Sequence, residues 1–202
     1  MSFLSAFRHP RVWLLTVLGF SSGLPLLLTG STLKAWLTNA GVDLTTIGLF
    51  SFVALPYTLK IFWAPLLDRI TLPFLSRRRG WILLTQILVM IGILSMAMCP
   101  PDVLVVDLNF TRHIQLQNFP LGIALAAFAL ALASATQDIA MDAYRTDLLP
   151  AEERASGTAT FVTGYRLAMI AASALALILS DFISWRWVYG CMALMVVPCV
   201  VA

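Results

Sequence analysis

The sequence predicts an all-α membrane protein built as a bundle of six transmembrane helices. Charged residues make up 11% of the 202 residues and apolar residues 60%, which leaves too little polar surface for a compact soluble domain. Long apolar runs also recur along the chain, and a helix needs about 20 mostly apolar residues to cross a bilayer. Because irregular backbone cannot face lipid, these runs predict spanning helices.

Six runs meet this requirement, and the whole chain, residues 1–202, is interpreted as one transmembrane bundle. The first run has no charged residue, the second contains Lys60 and the fifth contains Arg166. The sixth is still apolar at the last residue, so the sequence is expected to stop inside a span. The predicted spans are 12–33, 44–67, 81–101, 119–142, 155–180 and 187–202.

Small residues in two of these spans predict close contacts between helices. The first span carries Gly19 and Gly23 at a spacing of four residues, and the fifth carries Gly157 and Gly164. Such residues let helix backbones approach each other in a membrane, or let a helix bend. The three cysteines, by contrast, lie in or beside apolar runs without metal-ligand spacing, which indicates packing roles for Cys99, Cys191 and Cys199.

The distribution of Lys and Arg predicts the orientation of the bundle, because cytoplasmic loops hold the excess of these residues. Eight lie on one side of the membrane: Arg8, Arg11, Arg69, Arg77, Arg78, Arg79, Arg145 and Arg154. Three lie on the other side: Lys34, Arg112 and Arg186. The amino terminus is therefore expected in the cytoplasm, and the cluster at residues 77–79 is a topology signal rather than a nucleic-acid site.

Two basic residues lie inside predicted spans, where an ionisable group costs about 2.5 to 3.5 kcal/mol near the helix centre. Arg166 lies about 16 Å into the fifth span, near the bilayer mid-plane. It is interpreted either as a fixed cation for an anionic substrate or as the partner of an acidic residue on another helix. Lys60 lies about 12 Å from the cytoplasmic end of the second span. Its amine either extends to that surface or faces a cavity, where it binds substrate or pairs with an aspartate.

Three charged residues share one stripe where the fourth span ends. Asp138, Asp142 and Arg145 fall at i, i+4 and i+7, which is one face of a helix. Two close carboxylates repel, so one of them is a candidate carrier for a coupled proton. The alternative is a solvated helix end with a salt-bridged gate. Asp68 and Arg69, which end the second span, are likewise either a gate latch or a topology determinant.

An enzyme is a less favoured alternative. Asp138, Asp142 and Asp147 resemble the aspartate-rich sites through which membrane prenyltransferases hold Mg²⁺. Such a site needs a second acidic cluster, and Arg145 would repel the metal. His9 and His113 are expected on opposite sides of the membrane, so they form no catalytic arrangement. The sequence therefore predicts a protein that is not an enzyme and holds no metal.

Four blocks of sequence, in order and at fitting distances, resemble the AmpG-type muropeptide permeases of the major facilitator superfamily. They are GFSSGLPLLLTGSTLKAWL (19–37), LPYTLKIFWAPLLDR (55–69), SATQDIAMDAYRTDLLPAEERASG (134–157) and GYRLAM (164–169). The resemblance covers the whole chain as the amino-terminal half of such a twelve-helix protein, so a second six-helix half is an expected partner. The superfamily loop pattern Gly-x-x-x-Asp-Arg-x-Gly-Arg-Arg is only partly matched, since Ala64 replaces its glycine.

The resemblance implies a proton-driven symporter that imports anhydro-muropeptides from periplasm to cytoplasm across a bacterial inner membrane. This uptake serves peptidoglycan recycling and the signal for β-lactamase induction, and thus β-lactam resistance. The proton motive force drives it without a cofactor. Substrate carboxylates, hydroxyls and rings call for cations, amides and aromatic surfaces. The expected substrate or pathway residues are Arg166, Lys60, Gln137, Tyr57, Tyr144 and Tyr165. A transporter of another anionic solute, of the acetyl-CoA type, stays open.

Overall fold

The computed structural model describes residues 10–70, 77–101, 120–150 and 153–201, and all regular structure within them is helical. Two 3-10 segments, Phe50–Ala54 and Lys60–Phe62, and one π-helical segment, Ala171–Leu175, interrupt the α-helices. The α-helices are α1 (Pro10–Thr29), α2 (Ser31–Asn39), α3 (Leu44–Leu49), α4 (Leu55–Leu59), α5 (Ala64–Arg69), α6 (Arg77–Met98), α7 (Leu121–Leu148), α8 (Arg154–Ile170), α9 (Ala176–Ser180) and α10 (Trp185–Val201).

These helices form six consecutive spans. Among the described residues, five stretches are long and apolar enough to cross a bilayer: Trp13–Asn39, Leu44–Phe62, Arg78–Met98, Leu121–Leu148 and Arg154–Ser180. The apolar stretch Trp185–Val200 is shorter, and we count it as the sixth span. The predicted all-α, multi-pass membrane fold is therefore confirmed, with five helical stretches of spanning length and a shorter sixth.

The first span bends between α1 and α2. Pro25 lies inside α1 and has no N–H to donate to the preceding turn. The Thr29 hydroxyl donates to the carbonyl of Pro25 at 3.0 Å, and α2 restarts after Gly30. The span then continues to Asn39, beyond the predicted end at 33. Just before this extension, the Thr32 hydroxyl donates to the carbonyl of Ala172 in the fifth span at 2.6 Å, which ties α2 to that span.

The second span consists of short pieces instead of one continuous helix. Pro56 and Pro65 begin α4 and α5, where a missing N–H is least costly, and the two 3-10 segments join the pieces. At the start of this span, Asp43 caps α3 by accepting the Thr46 N–H at 2.9 Å. Hydrogen bonds from the hydroxyl and N–H of Thr46 hold the pKa of the Asp43 carboxyl below its usual value.

The first span lies at the centre of the bundle and contacts the fourth, fifth and sixth spans. The third packs on the fourth and sixth, and the second packs on the fourth. The contact between the first and fifth spans is backbone against backbone. A Cβ atom at Gly19 would lie 2.1 Å from the Phe161 carbonyl oxygen, and one at Gly164 would lie 2.0 Å from that of Thr16. The predicted close approach of these helices is confirmed.

Aromatic residues fasten the sixth span to the bend of the first. The ring of Trp36 stacks on Trp185 at 5.9 Å and lies 5.0 Å from that of Tyr189. Tyr189 is fully buried, and its hydroxyl donates to the Leu28 carbonyl at 2.8 Å. These contacts place the start of the sixth span beside the end of the first.

Candidate functional site

An ion pair joins the second and fourth spans inside the bundle. The Lys60 Nζ atom lies 3.7 Å from Asp138 Oδ2, with 39% of the lysine side chain and 14% of the aspartate side chain exposed. The Ser22 hydroxyl of the first span donates a hydrogen bond to Asp138 Oδ1. The carboxylate is thus held from two neighbouring helices. A charge balanced by its partner is the form in which ionisable residues persist within a membrane.

The predicted stripe of Asp138, Asp142 and Arg145 separates into two pairs. Arg145 Nη2 lies 3.1 Å from Asp142 Oδ1, and the guanidinium lies 4.9 Å from the ring centroid of Phe161 in the fifth span. Arg145 therefore neutralises Asp142, while Asp138 turns to Lys60. This division could not be read from the spacing, because it depends on the second span packing against the fourth.

A third ion pair lies at the ends of the third and fourth spans and was not predicted. Arg78 Nε donates to Asp147 Oδ2 at 3.1 Å. The sequence assigned Arg78 only to topology and Asp147 only to the enzyme alternative. Opposite charges at the ends of consecutive spans were the available clue. Arg69 is exposed at the end of α5, and the side chain of Asp68 lies outside the described residues.

Arg166 lies near the middle of the fifth span, Arg154–Ser180, as expected from the sequence. Its side chain is exposed and forms no ion pair with the described residues. The neighbouring Tyr165 is half-buried and lies within electrostatic reach of both Arg166 and Asp138. The alternative in which Arg166 locks the fifth span to an acidic partner has no such partner in the described part of the chain.

The remaining predicted residues divide between this cluster and a separate cleft. Gln137 is buried, and its Nε2 atom donates to the Ser21 hydroxyl at 2.8 Å. Tyr57 is half-buried on the second span near Asp138. Tyr144 instead lines a cleft of about 340 Å³ between the first, third, fourth and sixth spans, together with Arg79 and Gln86. The structure therefore brings together Tyr57, Lys60, Asp138 and Tyr165, but not Tyr144.

Several of the expectations concern residues that the structure does not describe. Arg8, His9, Arg112 and His113 lie outside the described residues. Within the described ranges, no three His, Cys, Asp or Glu side chains are grouped so that they could hold a metal ion.

Comparison with known proteins gives consistent matches along the chain. A family model described as acetyl-coenzyme A transporter 1 matches residues 11–185. The anhydromuropeptide permease of Escherichia coli (strain K12) is 45% identical over 201 residues, which are 99% of this chain and 38% of that protein. A Rickettsia felis protein named as a transporter, AmpG 4, is 35% identical over 184 residues, which are 90% of this chain and 41% of that protein.

These matches have two consequences for the identity of the chain. The chain spans 38% and 41% of the length of the two curated relatives. The resemblance to AmpG-type permeases, which rested on four sequence blocks, is confirmed by a match of 45% identity that covers 99% of the chain. The family model extends from the start of the first span to the start of the sixth. The chain therefore belongs to the acetyl-coenzyme A transporter 1 family.

Proposed function

We propose that the protein is a proton-coupled secondary transporter that imports anhydro-muropeptides from the periplasm to the cytoplasm for cell-wall recycling. One observation carries the proposal: in a chain 45% identical to an anhydromuropeptide permease, a carboxylate and an ammonium group are paired between membrane-spanning helices. Ionisable residues at such positions typically mark substrate or proton pathways. Asp138 is the proposed proton carrier, because its partner Lys60 can balance the charge when the proton leaves.

Arg166 is the proposed binding site for the negative charge of the cargo. Its guanidinium lies mid-span and has no acidic partner among the described residues. A guanidinium binds a carboxylate with two parallel hydrogen bonds, which gives both affinity and orientation. Tyr165 beside it and Tyr57 near Asp138 offer aromatic surfaces for sugar rings, and Gln137 supports the proton carrier from the same helix.

The ion pairs of Arg78 with Asp147 and Arg145 with Asp142 are the proposed cytoplasmic gate, together with Asp68 and Arg69. They lie at the ends of the spans, where Lys and Arg concentrate on the cytoplasmic side. Alternating access needs two bundles that rock about a central site, so a second six-helix bundle is the proposed partner. The proposed location is the bacterial inner membrane with the amino terminus in the cytoplasm, and the proton motive force replaces any cofactor.

The test is uptake of labelled anhydro-muropeptide by cells that lack their own permease and produce the protein from its gene. We expect accumulation against a gradient, and loss of that accumulation when an uncoupler collapses the proton gradient. Uptake that continues unchanged with the uncoupler would contradict proton coupling. Absence of uptake in cells with verified membrane insertion would contradict the cargo.

A second candidate is transport of another anionic solute, which the description of the matching family favours. The two candidates differ in competition. Unlabelled cell-wall fragments should block uptake of labelled muropeptide if muropeptides are the cargo, whereas acetyl-CoA should block it if the site selects that ester. An enzymatic role would instead require Mg²⁺-dependent prenyl transfer by purified membranes, which we expect to be absent.

A further inference from the structure

Four polar side-chain atoms in the described part of the chain are buried without a hydrogen-bond partner. They are the Tyr57 hydroxyl, Trp63 Nε1, Ser134 Oγ and Gln137 Oε1. All four belong to the second and fourth spans, which pack against each other. Each one also lies within four residues of Lys60 or Asp138. The unpartnered atoms thus surround the ion pair instead of being scattered through the bundle.

The Ser134 hydroxyl is unusual among the described hydroxyls in helices. Thr85, Ser95, Thr136 and Ser173 all donate to a carbonyl one turn back in their own helix, which is the usual way of satisfying a hydroxyl in a spanning helix. Ser134 makes no such bond. It is a polar neighbour of the Tyr57 phenol on the second span, but the two groups do not meet hydrogen-bond geometry.

The unpartnered atoms form a row that leads to Asp138. Ser134 lies one helical turn from Asp138, or about 6 Å along the axis. On the facing span, Tyr57, Lys60 and Trp63 are spaced by three residues. Each is partly buried, whereas the residues between them are exposed, so these three lie on the packed face of the span. Two polar rows, one on each span, therefore face each other and meet at the ion pair.

The chemistry of the row fits water better than a cargo molecule. The hydroxyls donate and accept, the indole N–H donates, and the amide oxygen accepts, which is the mixture that chains of water satisfy. A sugar-peptide is too large to reach atoms buried between packed helices. Leaving such atoms dry inside a membrane is costly, and the 3-10 segment has weaker hydrogen bonds than an α-helix. Water at this contact would supply the missing hydrogen bonds.

We propose that water enters between the second and fourth spans along Tyr57, Trp63, Ser134 and Gln137 and reaches the Lys60–Asp138 pair. This route would carry the coupled proton to the Asp138 carboxylate, a role that rests on the proposed function. Hydration of the contact does not depend on the cargo, so the two ideas can fail separately.

Thiol labelling tests the route in membranes that contain the protein. In a background with Cys99→Ala, Cys191→Ala and Cys199→Ala, Ser134→Cys should react with a water-soluble, charged thiol reagent. The matched control is Ala131→Cys, three residues earlier on the same helix and fully buried in the apolar core, which should stay unlabelled. Equal labelling of the two cysteines, or no labelling of either, would overturn the proposal.

Hydroxyl-radical footprinting tests the unmodified protein and avoids any folding defect of the variants. Tyr57 and Trp63 should be oxidised by radicals generated from water. Tyr189 is the internal control, because it is fully buried and its hydroxyl is already bonded to Leu28. Protection of Tyr57 equal to that of Tyr189 would contradict the route.

Uptake measurements then separate the route from the cargo. Ser134→Ala should reduce uncoupler-sensitive accumulation but retain exchange of labelled for unlabelled muropeptide, while Thr136→Ala, whose exposed hydroxyl bonds within its own helix, should leave both unchanged. Labelling of Ser134→Cys without any muropeptide uptake by the parent protein would refute the proposed function and leave the water route standing. Full accumulation by Ser134→Ala would refute the proton route.

Discussion

At the scale of single residues, Asp138 and Asp142 differ in their environment. The Asp138 carboxylate is bound by Lys60 and Ser22 from two other spans, whereas Asp142, one turn further along, is paired with Arg145 and half exposed. Two aspartates four residues apart thus differ in partner and in contact with water.

The Lys60–Asp138 pair is expected to contribute more to stability than an exposed pair. In a double-mutant cycle with Lys60→Gln and Asp138→Asn, we expect a coupling energy of about 1–3 kcal/mol, because the pair is partly buried and hydrogen-bonded. The measurement is denaturant unfolding of the purified protein in micelles. The control cycle, Arg78→Gln with Asp147→Asn, should give about 0.2–1 kcal/mol, since Asp147 is 59% exposed. Equal coupling in the two cycles would contradict this ranking.

Arg166 is expected to act on the cargo and not on the fold. Arg166→Gln should raise the KM for uptake by about 10- to 100-fold, the equivalent of losing a charged hydrogen bond of ~1.5–3 kcal/mol. The free energy of unfolding should change by no more than about 0.5 kcal/mol, because the side chain is exposed. Arg186→Gln, an exposed arginine at the start of the sixth span, is the control and should not change KM. A normal KM in Arg166→Gln would exclude the proposed contact.

At the scale of helices, the first and fifth spans are joined through their backbones. The glycines at this contact leave no room for a Cβ atom, so the backbones of the two helices lie closer than residues with side chains would allow. The Cβ atom of an alanine at Gly19 or Gly164 would clash with a backbone carbonyl of the other helix. The pair is therefore expected to move as one unit in any conformational change.

Glycine-to-alanine substitutions test this contact directly. Gly19→Ala and Gly164→Ala should each destabilise the protein by about 1–3 kcal/mol or more through overpacking. Gly190→Ala is the matched control, because a Cβ atom at this helical position meets nothing within 4 Å. It should be neutral or stabilise by roughly 0.5–1 kcal/mol through helix propensity. Thermal denaturation in detergent measures all three, and a tolerated Gly164→Ala would contradict the observed packing.

The helices could be predicted from the sequence because each depends mainly on local apolar length. The bounds of the spans were less predictable, because polar residues beyond an apolar run can continue the same helix. The second span starts at Leu44 as predicted, but the first continues to Asn39 and the fourth to Leu148, beyond the predicted ends at 33 and 142. The 3-10 and π segments left no clear periodic pattern. For the site, residue types and depths could be read from spacing, but the pairing of Lys60 with Asp138 and of Arg78 with Asp147 required the packing of separate spans.

At the scale of the whole molecule, the positions of Lys and Arg and the order of the helices together predict the orientation of the bundle in the membrane. The first turn of the third span and the last turn of the fourth carry the Arg78–Asp147 pair, so both ends lie on one side. Two crossings, the third and the fourth spans, separate these two ends. The turn at residues 40–43, between the first and second spans, is one crossing away from the start of the third span. It is therefore expected on the other side of the membrane.

Reporter fusions test this orientation. Alkaline phosphatase, which is active only in the periplasm, should be active when fused after Gly41 and inactive when fused after Pro150, because the excess of Lys and Arg keeps the latter side in the cytoplasm. A fluorescent protein that folds only in the cytoplasm should give the reverse result at the same two positions. Phosphatase activity at Pro150 with none at Gly41 would invert the proposed topology.

The irregular second span has a mechanical consequence. A 3-10 helix rises about 2.0 Å per residue and turns 120°, whereas an α-helix rises about 1.5 Å and turns 100°. The span contains 3-10 segments of five and three residues, so rewinding both into α geometry would shorten it by about 4 Å. The same rewinding would rotate Lys60 away from Asp138. A change of helix type in the second span would therefore couple its length to the distance between the two charges.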